Sequence, residues 1–309
     1  MEQNELSKNA RGGTELMMER LHGALPEDLL NHFQIIPSRV RELDSTKKKI
    51  YWAHDLPADP EAQFLKDKEA RDQFDLKVFV SNWQFQQFRD YLGVPFDSDS
   101  VVIENGIVPI PNHVKPSDVI NLVYFTTPHR GLELLYPVYE FLFDTLKIDM
   151  HLHVYSSFSI YGWSERDKPY EPIFNKLEKH PGITYHGAVS NEKMRDELQK
   201  MHILAYPSIW PETSCLQLIE AMSAGLLCVH PNLAALPETS GGLTWMYHYD
   251  QDATMHANRF ANVLAMAIRS INDDNIQKKL DFTRYYANGR FNFDSKAASW
   301  KATLEGMML

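Results

Sequence analysis

The stretch "ILAYPSIWPETSCLQLIEAMSAGLLCVHP" (203–231) decides how this chain folds. It opens on a short apolar run, 203–208, and leaves it through a loop, "IWPE". An apolar-periodic run, "SCLQLIEAMSA", follows, and then a second short apolar run, 226–231. Apolar runs of that length read as buried strands, and the periodic run between them reads as a helix. Strand, helix and strand in succession make a βαβ unit, which pairs its strands in parallel through a right-handed crossover.

The same alternation extends on both sides. Strands are expected at "NLVYF" (121–125), "MHLHVY" (150–155), "GITYHG" (182–187) and "LTWMY" (243–247), with helices at "GLELLYPVYEFLFDTL", "PIFNKLEKH" and "NEKMRDELQKM" between them. This predicts a doubly wound, Rossmann-like domain over residues 116–290. The first half is a smaller α/β unit, 1–115. Its expected strands are "FQIIP" (33–37), "KIYWAH" (49–54), "LKVFVS" (76–81) and "VVIEN" (101–105), and its expected helices follow Gly12-Gly13, fill 60–72 and cover 83–92. The Pro- and Gly-bearing segment 105–118 reads as the linker between the two. Ligands of open parallel sheets sit beyond the carboxyl ends of the strands, so a cleft between two such domains is the expected site.

Composition narrows the classes. The chain has 309 residues, 44% of them hydrophobic, which suits two globular domains. A net charge of −10 argues against nucleic-acid binding. The one tight basic run, Lys47-Lys48-Lys49, reads as a solvated strand edge, and membrane association has no further support. Two cysteines, Cys215 and Cys228, form no disulfide framework. The polar opening "MEQNELSKNARGG" lacks the apolar core of a signal peptide. No apolar stretch is long enough to span a bilayer, and a cytoplasmic location is expected.

The candidate residues lie just after the strands. Ser214-Cys-Leu-Gln217 fits a capping box, which predicts a helix start there. The first amides of that helix, with its dipole, favour a phosphate. Glu212 lies at the helix mouth, placed to accept hydrogen bonds from a polyol. Glu220 lies further along the helix, either as a carboxylate for the vicinal hydroxyls of a ribose or as an ordinary solvated glutamate. Arg130, after the strand 121–125, has the fork geometry for a diphosphate, with Thr126 and Thr127 as hydroxyl donors. Gly12-Gly13 leads into a helix and permits close backbone approach or marks a bare turn. His54 stands at a strand's carboxyl end, where a histidine can hydrogen-bond a hydroxyl or serve the fold alone. Asp97-Ser-Asp99 has the form of a metal-binding DxD but lies in a turn-like loop. His151-Leu-His153 has no third metal ligand near in sequence.

Assembled, these residues resemble the family-4 retaining glycosyltransferases of GT-B fold. The carrying stretch is "YPSIWPETSCLQLIEAMSAGLLCVHPNLAALPE" (206–238), which matches the family's Pro-Ser…Glu-x7-Glu-Ala…Gly…Leu-Pro-Glu signature. Supporting pieces are "RGGTE" (11–15), "VFVSNWQ…VIENGI" (78–107), "FTTPHRGLELL" (125–135) and "ITYHGAVSNEKM" (183–194). The resemblance implies two Rossmann-like domains. The sequence departs from the family in having only a polar stretch before Gly12, where many members open with a strand, so the first strand of the N-terminal domain is expected to be missing or degraded. It also implies a C-terminal helix, within 291–309, that crosses back to the N-terminal domain. By resemblance, Glu220 holds the ribose, Glu212 meets the donor sugar, and Thr213, Ser214, Cys215 and Leu216 offer backbone amides to sugar and diphosphate. Arg130 and Thr127 take the diphosphate, Gly13 and Thr14 belong to the glycine loop, and His54 stands at the reacting sugar. A second basic phosphate ligand, common in the family, is replaced by the Thr126-Thr127 pair.

The expected activity is therefore transfer of a hexose from a nucleotide-diphosphate sugar to a hydroxyl acceptor, with retention and without metal or other cofactor. The alternatives are a nucleotide-sugar epimerase or phosphorylase on the same scaffold, or a non-catalytic nucleotide-sugar or glycan-binding protein.

Overall fold

A computed structural model of the protein describes residues 12–95, 98–116 and 118–309. Among these the chain divides into two compact units, one of 12–108 with 291–309 and one of 109–290.

The first unit begins with α1 (Gly13–Ala24) and α2 (Glu27–Leu30), then β1 (Phe33–Pro37) and β2 (Lys48–Ala53). A 3-10 segment, Pro60–Lys66, precedes α3 (Lys68–Arg71), β3 (Leu76–Phe79), α4 (Asn82–Leu92) and β4 (Ser100–Val102). The region 60–72, expected as one helix, thus divides at Asp67, whose side chain caps the second piece by accepting from the Ala70 amide. The four strands form one sheet in the order β1-β2-β3-β4, every pairing parallel. Its core is aromatic, with Tyr51, Phe74, Phe79 and Phe88 buried around Ile36 and Leu65.

One local expectation needs correction here. Lys48 and Lys49 belong to β2, which pairs with strands on both sides, so the basic run does not mark a sheet edge. The Lys49 amide is held by the Asp75 carboxylate at 2.7 Å. Asp97 lies outside the described residues. Asp99 is the counter-ion of Lys77, a fully buried lysine whose Nζ also donates to the Phe74 carbonyl at 2.9 Å.

In the second unit the order is β5 (Ile120–Tyr124), α5 (Leu132–Leu146), β6 (Met150–Val154), α6 (Glu171–Lys179), β7 (Ile183–Tyr185) and α7 (Asn191–Leu198). Next come β8 (Ile203–Ala205), α8 (Leu216–Ser223), β9 (Leu227–Pro231), α9 (Leu236–Ser240), β10 (Trp245–Tyr247), α10 (Ala253–Ser270) and α11 (Asp274–Arg290). The six strands are parallel in the order β7-β6-β5-β8-β9-β10. In chain order within the unit this is 3-2-1-4-5-6, the order of a doubly wound sheet. The order reverses between β5 and β8, and the carboxyl ends of those two strands are the natural seat for a ligand.

The last helix, α12 (Phe293–Met308), belongs to the first unit. Ile107 exchanges backbone hydrogen bonds with Phe291 and Phe293 at 2.7 and 2.8 Å. Trp300, 2% exposed, stands edge-on to Trp52 with ring centroids 4.8 Å apart, and Lys296 pairs with Glu104 at 2.9 Å. No helix among the described residues is long and apolar enough to cross a membrane.

Candidate active site

The switch point of the second unit gathers the loop after β5 and the loop after β8. What lets them meet is Gly131. Its φ is +131°, and a Cβ built there would fall 2.3 Å from the Pro207 carbonyl oxygen. Only glycine permits both the backbone angle and the approach. The adjoining backbone then locks the loops, as the Ile209 amide donates to the Arg130 carbonyl at 3.2 Å.

This junction brings Arg130 to Glu212. Nη1 of Arg130 lies 2.7 Å from Oε1 of Glu212, and the Tyr206 hydroxyl donates to the same oxygen at 2.5 Å. Glu212 is 6% exposed, and its own carbonyl accepts from the Ala235 amide at 3.1 Å, so both ends of the residue are held. Burial works against the Arg130 charge, but the facing Glu212 carboxylate outweighs it and holds the guanidinium above its ordinary value. The arginine stays charged throughout the working pH range.

The second unit keeps buried polar atoms without a hydrogen-bond partner, among them Thr127 Oγ1, His129 Nδ1 and Arg130 Nε in the loop after β5, Ser156 Oγ past β6 and both amide atoms of Gln217 in α8. Such groups are costly when dry and unpaired, and the three in the loop after β5, at the switch point, fit a site that expects a polar ligand. Trp210 closes one side, with the Arg130 guanidinium 5.9 Å from its ring centroid and the His129 ring edge-on at 4.9 Å. His129 stacks on Phe158 at 5.2 Å. Burial first, and then the Arg130 charge, lowers the His129 pKa to about 4, so the ring is neutral at pH 7.

Beyond Glu212 the chain runs through Thr213 and Ser214 to α8. The expected capping box does not form. The helix begins at Leu216, its N-cap residue is Cys215, and no side chain bonds to the cap. Gln217, the box's distal member, is turned into the protein with its amide unpaired. By helix geometry the amides of the first turn have no intrahelical acceptor, and the helix dipole adds positive potential there. The Cys215 thiol is buried, and burial raises its pKa, so it is not a thiolate at pH 7.

Glu220 lies within α8, where every residue from Gln217 to Ser223 is buried. At 9% exposure it is no solvated helix glutamate. Its Oε1 is 3.4 Å from Nη1 of Arg195, on α7.

Gly13, Thr14 and His54 fall in the first unit. Gly12 caps α1 with φ −71°, a backbone angle that any residue adopts, so the glycine pair is not required by local conformation. His54 follows β2. Its amide and that of Asp55 donate to Ser38 Oγ at 2.8 and 3.2 Å. Ser38 itself has φ +61°, a left-handed backbone in a non-glycine residue just past β1. Burial lowers the His54 pKa to about 3, so the ring is neutral at pH 7.

His151 and His153 lie on one face of β6, and His186 stands beside them after β7. His153 and His186 share a ring-nitrogen hydrogen bond of 3.1 Å, and His151 bonds Thr184 at 2.7 Å. Among the described residues no group of three or more His, Cys, Asp or Glu side chains is arranged to hold a metal ion. Sequence reasoning missed Tyr206, Arg195, His129, Trp210 and Gly131. Only Gly131 and Tyr206 carried a signal: a glycine directly after the Arg130 turn, and a tyrosine closing an aliphatic strand.

Comparison with known proteins bears on the fold. Residues 140–270 match the family model described as glycosyl transferases group 1. A glycosyltransferase from Rickettsia africae superposes with TM-score 0.70 at 15% identity, covering 100% of this chain and 84% of that one. The Anabaena protein HepE, solved with UDP and glucose, gives 0.66 at 16% identity over 84% and 72%. The pneumococcal O-GlcNAc transferase GtfA, solved with UDP and GlcNAc, gives 0.66 at 13% identity over 85% and 53%. No curated protein matches the chain by sequence. The fold is that of GT-B glycosyltransferases, and the group 1 match covers residues 140–270 of the chain.

Proposed function

We propose that this protein transfers a hexose from a nucleotide-diphosphate sugar to a hydroxyl acceptor, with retention of configuration and without a metal ion, in the manner of the family-4 enzymes. The observation that carries the reading is the Arg130–Glu212 pair set at the switch point before α8. A fixed cation and the first-turn amides of α8 form one half of an anion seat, and a buried carboxylate beside them forms a hydroxyl acceptor. The structures of HepE with UDP-glucose and of GtfA with UDP and GlcNAc support a nucleotide-sugar as the ligand class.

In this reading the diphosphate lies against Arg130, Thr127 and the amides of Thr213, Ser214, Cys215 and Leu216. Negative charge grows on the leaving phosphate as the glycosidic bond breaks, so these donors act more strongly in the transition state than in the ground state. Glu212 accepts from the hexose hydroxyls and fixes the ring. Retention places the acceptor oxygen on the face the diphosphate leaves, where the departing phosphate takes its proton. Glu220 accepts from the ribose. The roles that the family resemblance gives Gly13, Thr14 and His54 belong to the same proposal.

The test is a thermal-shift screen over UDP-, GDP-, ADP- and TDP-sugars, followed by product analysis by NMR. A stabilising donor, a glycosylated product of retained anomeric configuration and full activity in EDTA are expected. Conversion of the donor alone into an isomeric nucleotide-sugar overturns the reading in favour of an epimerase. Donor binding without turnover across an acceptor panel overturns it in favour of a binding protein.

A further inference from the structure

We propose that two buried tyrosines at the switch point divide its positioning between them: Tyr206 sets the Glu212 carboxylate for the sugar, and Tyr124 sets the turn that carries Arg130 for the diphosphate. The inference rests on the donor reading given above. It deepens that reading by assigning sugar and diphosphate recognition to separate hydroxyl groups, neither of which touches the ligand.

The two residues come from the strands between which the sheet order reverses. Tyr124 ends β5, and Tyr206 directly follows β8, the neighbour of β5 in the sheet. Both are 0% exposed, with ring centroids 6.2 Å apart. A phenol is costly in so dry a place unless its hydroxyl has a partner, and phenylalanine would fill the same space. Burial above all raises both pKa values well beyond the ordinary one, and for Tyr206 the Glu212 charge adds to it. Each hydroxyl therefore keeps its proton and remains a donor.

Tyr206 donates to Oε1 of Glu212 at 2.5 Å, the oxygen that also takes Nη1 of Arg130 at 2.7 Å. Two donors thus meet on one oxygen. Among the described residues none donates to the other, Oε2. A carboxylate held by a single donor can pivot about that contact. A second donor on the same oxygen, arriving from the end of β8 while Arg130 arrives from the loop after β5, removes the pivot. One oxygen is committed to the fold, and the other is left as an acceptor of fixed direction for the hexose hydroxyls.

Tyr124 works on the facing loop. Its hydroxyl donates to the Thr127 carbonyl at 3.0 Å, and the Arg130 amide donates to that same carbonyl at 3.2 Å. The carbonyl closes the turn from Thr127 to Arg130. The phenol that holds it therefore also holds the backbone from which the guanidinium starts. The two tyrosine hydroxyls bond different loops and share no acceptor, so removing one or the other acts on different parts of the ligand.

The experiment measures binding to the full chain by calorimetry, with bare nucleotide diphosphates and their sugars as probes. UDP, ADP and TDP are compared with their glucose derivatives, UDP also with UDP-N-acetylglucosamine, and GDP with GDP-mannose. A phenylalanine keeps the ring and removes only the hydroxyl. Y206F is expected to weaken the nucleotide-sugar about tenfold, the worth of one hydrogen bond to a charged group, and to leave the bare diphosphate unchanged. Y124F is expected to weaken both about threefold, the worth of one neutral hydrogen bond, and to leave their ratio unchanged. A loss of packing alone would not separate the two ligands in this way. Y206M and Y124M carry the same test if the phenylalanine variants do not fold. A ratio in Y206F equal to that of wild type overturns the role of Tyr206. Unchanged affinities in Y124F, or a changed ratio, overturn that of Tyr124. The donor reading stands in both cases. Wild type that binds the diphosphates but none of the sugars overturns the sugar role of Glu212 and this inference with it. Wild type that binds none of the probes overturns the donor reading itself.

Discussion

Arg130 and Glu212, 82 positions apart in sequence, meet as a 2.7 Å ion pair to which the Tyr206 hydroxyl is added. The pair is mostly withdrawn from water, with side-chain exposures of 23% and 7%. Removing one member leaves the other as an uncompensated charge, which costs about 3 kcal/mol or more. Removing both is far milder. R130M and E212Q are therefore each expected to melt well below wild type, and the double variant to recover part of that loss. Activity should not recover: each single variant loses about a hundredfold in kcat, and the double variant stays at least as low. Thermal melts alongside kinetics check this, and equal melting points for all four proteins would contradict it.

Gly131 gives a second prediction, because it tests the meeting of the loops and not the charges. G131A adds a methyl group 2.3 Å from the Pro207 carbonyl at a backbone angle of +131°. Neither the carbonyl nor the angle can yield cheaply, so a loss of about 2 kcal/mol or more is expected. The Ile209–Arg130 backbone bond should open with it. Donor binding in a thermal-shift assay should fall in G131A even at temperatures where circular dichroism shows the chain folded.

How much of this was legible in the sequence depends on the physics that placed each residue. The strands of the described residues were all visible, and those buried on both faces, such as β8 and β9, are near-continuous apolar runs. "LLCVHP" and "NLVYF" admit few other readings. The strand order was not visible, since periodicity gives existence and not neighbours, and the order is what sets Arg130 beside Glu212. Each was a candidate from its place after a strand, but their pairing depends on a glycine contact between loops. Arg195 was hidden for a different reason. "NEKMRDELQKM" is a charged amphipathic helix, and its arginine reads as one more solvated residue until α8 is placed next to it. The capping box failed because local sequence offered Gln217 to the Ser214 backbone, and tertiary burial took it instead.

Asp99 supplies a prediction that separates a metal role from a structural one. Its carboxylate neutralises Lys77, which is fully buried, while Asp99 itself is 45% exposed on its side chain. Solvent weakens the pair from one side, so D99N should cost about 2 kcal/mol, less than a fully buried pair. Turnover of the folded variant should match wild type, with or without EDTA. A melting point unchanged in D99N, joined to loss of activity, would give Asp99 the chemical role that its ion pair argues against.

Acid sensitivity follows from the buried histidines. Burial lowers His54 to about 3 and His230 to about 4. Burial, and then the charges of His151 and His186, lowers His153 to about 4. For His230 the tautomer is fixed: Nδ1 must donate to the Pro231 carbonyl at 2.9 Å, leaving Nε2 to accept from the Thr244 hydroxyl at 2.7 Å. Each group is neutral in the fold but takes up a proton near 6.5 when unfolded. Between about pH 6.5 and 4 the unfolded chain therefore binds more protons, and stability rises with pH. The stability these groups contribute is complete above pH 6.5 and is lost as the pH falls toward 4. Melting temperature should drop across that window. One proton corresponds to a slope of up to about 1.4 kcal/mol per pH unit, so H153Q should flatten the fall by up to that share. Equal slopes in wild type and H153Q would show that His153 is not held neutral by the fold.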